Sequence, residues 1–225
     1  ELLFFFSALG AFNGIILGVY FFFFTKKKYL TNYFLGALLF ALSIRIAKSV
    51  FVYFHPELPK MYLQFGLTAC FFIGPCLYYF VKSAIDEIQT MPKSWKLILA
   101  LWGTLIVTIG VLYPYGIYPK FWRGYLIRII YFQWFVYIAF AGYELRDVLK
   151  KILSRKEKTT PAEMWFSMLY FGNFLLFLFY FLAIMGAPAA TYISGAVVFS
   201  FILYFTYLLI KNSFLFSISL FLIFY

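Results

Sequence analysis

Runs of about twenty apolar residues recur along this chain, and a helix of that length is what crosses the hydrocarbon core of a bilayer. Seven such runs can be read. The first, ELLFFFSALGAFNGIILGVYFFFF, stops at TKKK, and the second, YFLGALLFALSIRIAKSVFVYF, stops at HPELPK. The two prolines of that stop forbid helical continuation. The third runs from Met61 to about Lys82 and the fourth from about Lys96 to Tyr113. The fifth begins near Tyr125 and continues past the membrane into ELRDVLKKILSRKEK. The sixth is roughly Met164 to Met185, the seventh roughly Tyr192 to Ile210. Composition agrees, with 65% hydrophobic and only 12% charged residues, about half the charge of a soluble domain. The expected fold is all-α: a polytopic bundle of seven transmembrane helices over residues 1–212. Residues 213–225, SFLFSISLFLIFY, are too few for another crossing and read as a stub or helical extension. A basic stop directly after the first run makes that run a span, not a cleaved signal peptide.

Charge sets the orientation. The formal net charge is +11, which in a soluble chain would suggest nucleic acid. Here the cations fall in alternate loops. Lys26–Lys28, then Lys82, Lys93 and Lys96, then Arg146, Lys150, Lys151, Arg155, Lys156 and Lys158, and finally Lys211 follow the odd-numbered runs. Only Lys60, Lys120 and Arg123 follow the even-numbered ones. Thirteen against three is the asymmetry of cytoplasmic against outer loops, so the amino terminus is expected outside and the end of the seventh run in the cytoplasm. VLYPYGIYPKFWRGY, residues 111–125, has the Tyr, Trp and Pro of an interfacial belt on the outer side. Beyond the fifth run, Leu145, Val148, Leu149 and Ile152 form an apolar stripe among cations, as in a helix lying on an anionic leaflet or docking a cytoplasmic domain.

Chemistry is concentrated in a few polar residues within the spans. Arg45 lies about halfway through the second run and Lys48 one turn nearer the outside, on the same helix face. Arg128 of the fifth run lies about one turn below the outer boundary. The eight acids all lie outside the centres of the runs; only Glu1 and Glu57 approach from the outer side. A cation at a helix centre costs about 2.5–3.5 kcal/mol on insertion scales, which a bound group can offset. Lys48 and Arg128 have stems long enough to snorkel to headgroups. Arg45, about 13 Å from the outer end, is less able to. Its donors must go to backbone carbonyls, Tyr hydroxyls or amides such as Asn13, Gln64, Gln133 and Asn173, or to a ligand. The candidate site is therefore an outward-facing pocket for an anionic ligand or lipid headgroup, made by Arg45, Lys48, Arg128, Asn13 and Gln133.

Other features are structural or negative. Gly10, Gly14 and Gly18 make a small-residue face that admits a close helix neighbour, more often within one chain than between two copies of a homodimer. Gly74-Pro75 should kink the third span. Cys70 and Cys76 are six apart on one helix and cannot pair with each other, and a single histidine, His55, gives no metal site. No acid–base pair or nucleophile–base constellation is present, so neither an enzyme nor a cofactor is expected.

FFFSALGAFNGIILGVYFFF, FLGALLFALSIRIAKSVFVYF, LPKMYLQFGLTACFFIGPCLYYFVKS and IYPKFWRGYLIRIIYFQW resemble the amino-terminal membrane domain of AraC-type transcriptional regulators of Bacteroidetes. The resemblance covers roughly residues 3–212 and is strongest in SIRIAKS, ACFFIGP and the YPKFW loop. It implies a bundle of about seven helices in the bacterial inner membrane, followed by a cytoplasmic helix-turn-helix domain. SFLFSISLFLIFY contains no basic recognition helix, so DNA binding attaches to no residue of this sequence. The expected role is a sensory or tethering membrane domain of a transcription regulator, whose partners are membrane lipids and an anionic ligand or membrane protein. The alternative is a non-catalytic integral subunit docking to a larger assembly. Transport predicts a polar path across both halves, whereas these charges stop halfway.

Overall fold

The computed structural model describes residues 2–25, 29–54, 57, 59–154, 160–186, 195–204 and 206–208. The expectation for residues 213–225 lies outside the described residues. Among the described residues all regular secondary structure is helical, with no strand. Helix α1 is Leu2–Val19, prolonged by a π turn at Tyr20–Phe24; α2 is Leu30–Phe54, α3 Lys60–Ile85 and α4 Lys93–Leu112. Helix α5, Pro119–Glu144, contains a second π turn at Trp122–Leu126. Helix α6 is the short Arg146–Ser154, α7 is Pro161–Ile184 and α8 is Gly195–Leu208.

Five of these, α2, α3, α4, α5 and α7, are long and apolar enough to cross a membrane. The apolar segments of α1 and α8, Ala8–Phe24 and Gly195–Leu208, are shorter.

Proline and capping chemistry fix the boundaries. Pro59 and Pro92 hold extended backbone immediately before α3 and α4. Pro119 and Pro161 open α5 and α7 at the first helical position, where a missing N–H costs nothing. Thr160 and Glu163 form a reciprocal capping box. The Glu163 N–H donates to Thr160 Oγ1 (3.2 Å) and the Thr160 N–H to Glu163 Oε2 (2.7 Å). At its other end α7 is followed by Gly186 at φ +108°, a left-handed conformation that favours glycine.

The chain runs back and forth between two ends. One, the basic end, joins the start of α2, the end of α3 and the start of α7. The other, the aromatic end, carries Tyr113–Trp122. Helix α2 is the centre, with α1 and α3 packed on its two sides, and α3 in turn packs on α5. Helix α4 is peripheral, with 11% of its span buried. The α1 glycines serve packing within the chain. Gly14 faces Ser43 of α2 and the Phe199 ring of α8, and Gly18 faces the Gly36 carbonyl of α2.

Two expectations change. The fifth span does not run straight into its basic extension. It ends at Glu144, Leu145 is a fully buried turn residue, and α6 starts afresh at Arg146. The apolar stripe is also used within the chain. Leu145 belongs to the core, with Val148 and Leu149 packed against it, and Lys151 Nζ pairs with Glu163 of α7 at 3.0 Å. The stripe is thus packed in part against the bundle, with Val148, Leu149 and Ile152 half-buried. Pro75 lies inside an unbroken α3, where Gly74 admits the Trp134 backbone (3.1 Å from an added Cβ) and the Tyr137 Cβ (3.0 Å).

Candidate functional site

Arg45 sits where α2, α5 and α7 meet. It is 6% exposed. One terminal nitrogen donates to Ser49 Oγ, one turn along α2, and the other to the Tyr131 hydroxyl of α5 at 3.0 Å. The guanidinium carbon lies 4.1 Å from the centroid of the Tyr180 ring of α7. Its Nε–H has no partner. The Cys70 thiol of α3 is also within its electrostatic reach. No carboxylate pairs with Arg45 among the described residues. A full positive charge is therefore held by two neutral oxygens and an aromatic face, the arrangement by which a cation–π contact gains most when desolvated. Ser49 is positioned for this because its hydroxyl also returns a hydrogen bond to the Arg45 carbonyl (3.1 Å).

Lys48 lies one turn further toward the aromatic end and is half-buried. Its stem occupies the place of a missing side chain at Gly66 of α3. A Cβ there would come within 2.7 Å of Lys48 Cβ and 2.8 Å of its Cδ. The ammonium lies among the charges of Arg45 and Arg123 and the Cys70 thiol. It has no hydrogen bond or ion pair among the described residues. Like charges gathered in low dielectric repel one another, so Arg45 and Arg123 both act against the charge on Lys48.

Arg123 is the residue that sequence reasoning missed. It was counted with the loop cations of YPKFWRGY, but Pro119 starts the helix early and brings Arg123 into the π turn of α5. A relay then fixes it. Gln64 of α3 donates to the Gly110 carbonyl of α4 (3.0 Å) and accepts the Tyr115 N–H (2.9 Å), and the Tyr115 hydroxyl accepts Arg123 Nε–H (2.8 Å). Gln64→Leu removes both bonds of the clasp. The expected loss is about 1–3 kcal/mol, read as a lower melting temperature in detergent together with faster hydrogen exchange at the Tyr115 amide.

Against protein-family models, curated proteins and solved structures, the chain matches none.

The other expected site residues are dispersed. Arg128 is exposed, on the outward stripe of α5 with Tyr125 and Phe132, and makes no hydrogen bond or ion pair among the described residues. Asn13 is exposed on α1, whose glycines take the inward face instead. Gln133 is 8% exposed on α5, and neither its amide oxygen nor its nitrogen has a partner. Asn173 accepts Trp134 Nε1–H at 3.0 Å rather than serving Arg45. Of the groups considered for Arg45, the tyrosine hydroxyl is the kind that is used. No group of three or more metal-ligating side chains is present among the described residues.

Proposed function

We propose that the chain is a non-catalytic sensory or tethering domain of a membrane-bound bacterial transcription regulator. It takes the anionic group of a ligand, lipid headgroup or partner at Lys48 and Arg123, with Arg45 fixed beneath them. This reading counts seven crossings, with the amino terminus outside, so that the cluster lies in the outer half and signals leave toward the cytoplasm. The regulatory part rests on the resemblance in SIRIAKS, ACFFIGP and YPKFW. The anion part is carried by one observation: the Lys48 ammonium lies within electrostatic range of the Arg45 and Arg123 guanidiniums, with no carboxylate or hydrogen-bond acceptor joined to it among the described residues.

Coupling would run through Arg45. Its contacts tie α2 to Tyr131 on α5 and Tyr180 on α7, so a charge arriving at Lys48 changes the field on a group shared by three helices. A ligand shifts such an equilibrium only by its differential affinity for the two states.

The test uses full-length protein in neutral detergent, titrated with inorganic phosphate and with short-chain phosphatidylglycerol. Tryptophan fluorescence is the readout, since Trp122 is buried beside Arg123 in the π turn. Saturable binding that weakens at least tenfold in Lys48→Met, and further when Arg123→Gln is added, is expected. Equal affinities in wild type and variants would dispose of the anion site. In cells, Lys48→Met should blunt the change in regulated transcripts at unchanged protein level; an unaltered transcript profile would refute the regulatory part.

A further inference from the structure

At the basic end, far from Lys48, α2, α3 and α7 enclose a cleft of about 630 Å³. Its polar lining includes Thr31 at the start of α2, Glu87 and Gln89 after α3, and Trp165 of α7. A second cavity of about 330 Å³ lies between α7 and α8, lined by apolar residues including Met168, Leu175, Val198 and Phe201. Trp165 lines both. It is 8% exposed, and its indole Nε1–H has no hydrogen-bond partner. A buried donor left unpaired costs about 1–3 kcal/mol, and indole N–H groups normally find an acceptor when buried.

The dimensions are those of one lipid. From Trp165 to Leu175 the groove follows α7 for ten residues, about 15 Å, which is half of the ~30 Å hydrocarbon core and so the depth of one leaflet. The polar cleft stands at the membrane-boundary end of that groove. Its chemistry also selects. Neutral donors, Trp165, Thr31 and Gln89, join the amino-terminal turn of α2, whose helix dipole favours an anion such as phosphate. The charged residue in the lining is a carboxylate, Glu87, with no Lys or Arg beside it among the described lining residues. Glu87 makes no ion pair among the described residues. Glu87 offers an acceptor for a cationic group, so a headgroup pairing phosphate with a primary ammonium would satisfy both ends.

We propose that this end of the bundle holds one aminophospholipid. Its phosphate meets Trp165 and Thr31, its ammonium meets Glu87, and one acyl chain lies between α7 and α8. The site is independent of the anion site proposed at the other end.

Protein extracted in mild detergent is exchanged against phosphatidylethanolamine or phosphatidylglycerol of identical chains, and retained lipid is counted by native mass spectrometry. Wild type should retain one phosphatidylethanolamine in preference to phosphatidylglycerol. Trp165→Phe, which keeps the ring shape and removes the N–H, and Glu87→Gln should each weaken retention at least fivefold. Val198→Trp, which fills the groove, should abolish it, while Lys48→Met should leave it unchanged. Circular dichroism and gel filtration identify any variant that fails to fold, and Thr31→Val then replaces it as the headgroup probe. Equal retention across the variants, or preference for phosphatidylglycerol, would overturn the proposal. So would a change of oligomeric state in Val198→Trp with lipid unaffected, since the groove would then belong to a second copy of the chain.

Discussion

A leucine at position 14 should keep α1 from docking. A Cβ added there would stand 2.6 and 2.7 Å from two carbons of the Phe199 ring and closer still to Ser43 Oγ. Neither neighbour can yield cheaply. Phe199 and Ser43 are both fully buried, and the Ser43 hydroxyl is tied to the Leu39 carbonyl at 2.7 Å. Overpacking a filled site costs about 1–3 kcal/mol, so Gly14→Ala should already lower the melting temperature in detergent. Gly14→Leu adds three more carbons to the same gap and should give a chain whose α1 is cut by protease under conditions that spare the wild type. Gly103→Ala is the control. An added Cβ there meets only Phe72, at 3.9 Å, and helix propensity favours alanine by about 1 kcal/mol. Equal melting of Gly14→Ala and Gly103→Ala would contradict the packing described.

Why that stripe could be read, and the cationic site only in part, follows from how far each signal reaches along the chain. Gly10, Gly14 and Gly18 recur at helical spacing, so one element's own sequence declares a face that needs a close neighbour, although not which neighbour. The apolar runs behave alike. Their length decides a membrane class, and five of the seven are long enough in the structure to cross. Arg45 and Lys48 were legible because a cation in an apolar run is expensive wherever the run goes. Their surroundings were not, because those depend on other helices. Tyr131 and Tyr180 stand among 20 tyrosines, and nothing local sets them apart. Arg128 was placed by depth, but depth fixes height along the bundle and not azimuth, and its side of α5 faces outward. Arg123 was misjudged for the opposite reason. Pro119 starts α5 earlier than the hydropathy does, which brings what reads as a loop cation into the first turns of a span.

Tyr131→Phe should harm the protein more than Arg45→Met does, although arginine is the larger and more interconnected side chain. The phenylalanine leaves the guanidinium in place and takes away the oxygen 3.0 Å from one of its nitrogens. With Nε already unpartnered, the charge then keeps Ser49, the neighbouring Cys70 thiol and the face of Tyr180. A hydrogen bond to a charged group contributes about 1.5–3 kcal/mol, and that is the expected loss. Methionine at position 45 removes the charge together with its need for acceptors. Ser49 retains its bond to the backbone carbonyl of position 45, the thioether fills much of the stem's volume, and repulsion on Lys48 is relieved. Replacing a buried charged group by an apolar one of similar size is often neutral or stabilising, so Arg45→Met should melt within about 1 kcal/mol of wild type. The double variant supplies the decisive comparison. If the guanidinium is what makes Tyr131→Phe costly, adding Arg45→Met to it should recover most of the loss, giving a coupling of about 1.5–3 kcal/mol in a double-mutant cycle. Additive losses, or an Arg45→Met that falls by more than about 3 kcal/mol, would make Arg45 a keystone of the fold. Recovery would mean that the bundle stands without its central cation, and that the cation is there for what it does to Lys48 and to whatever charge Lys48 meets.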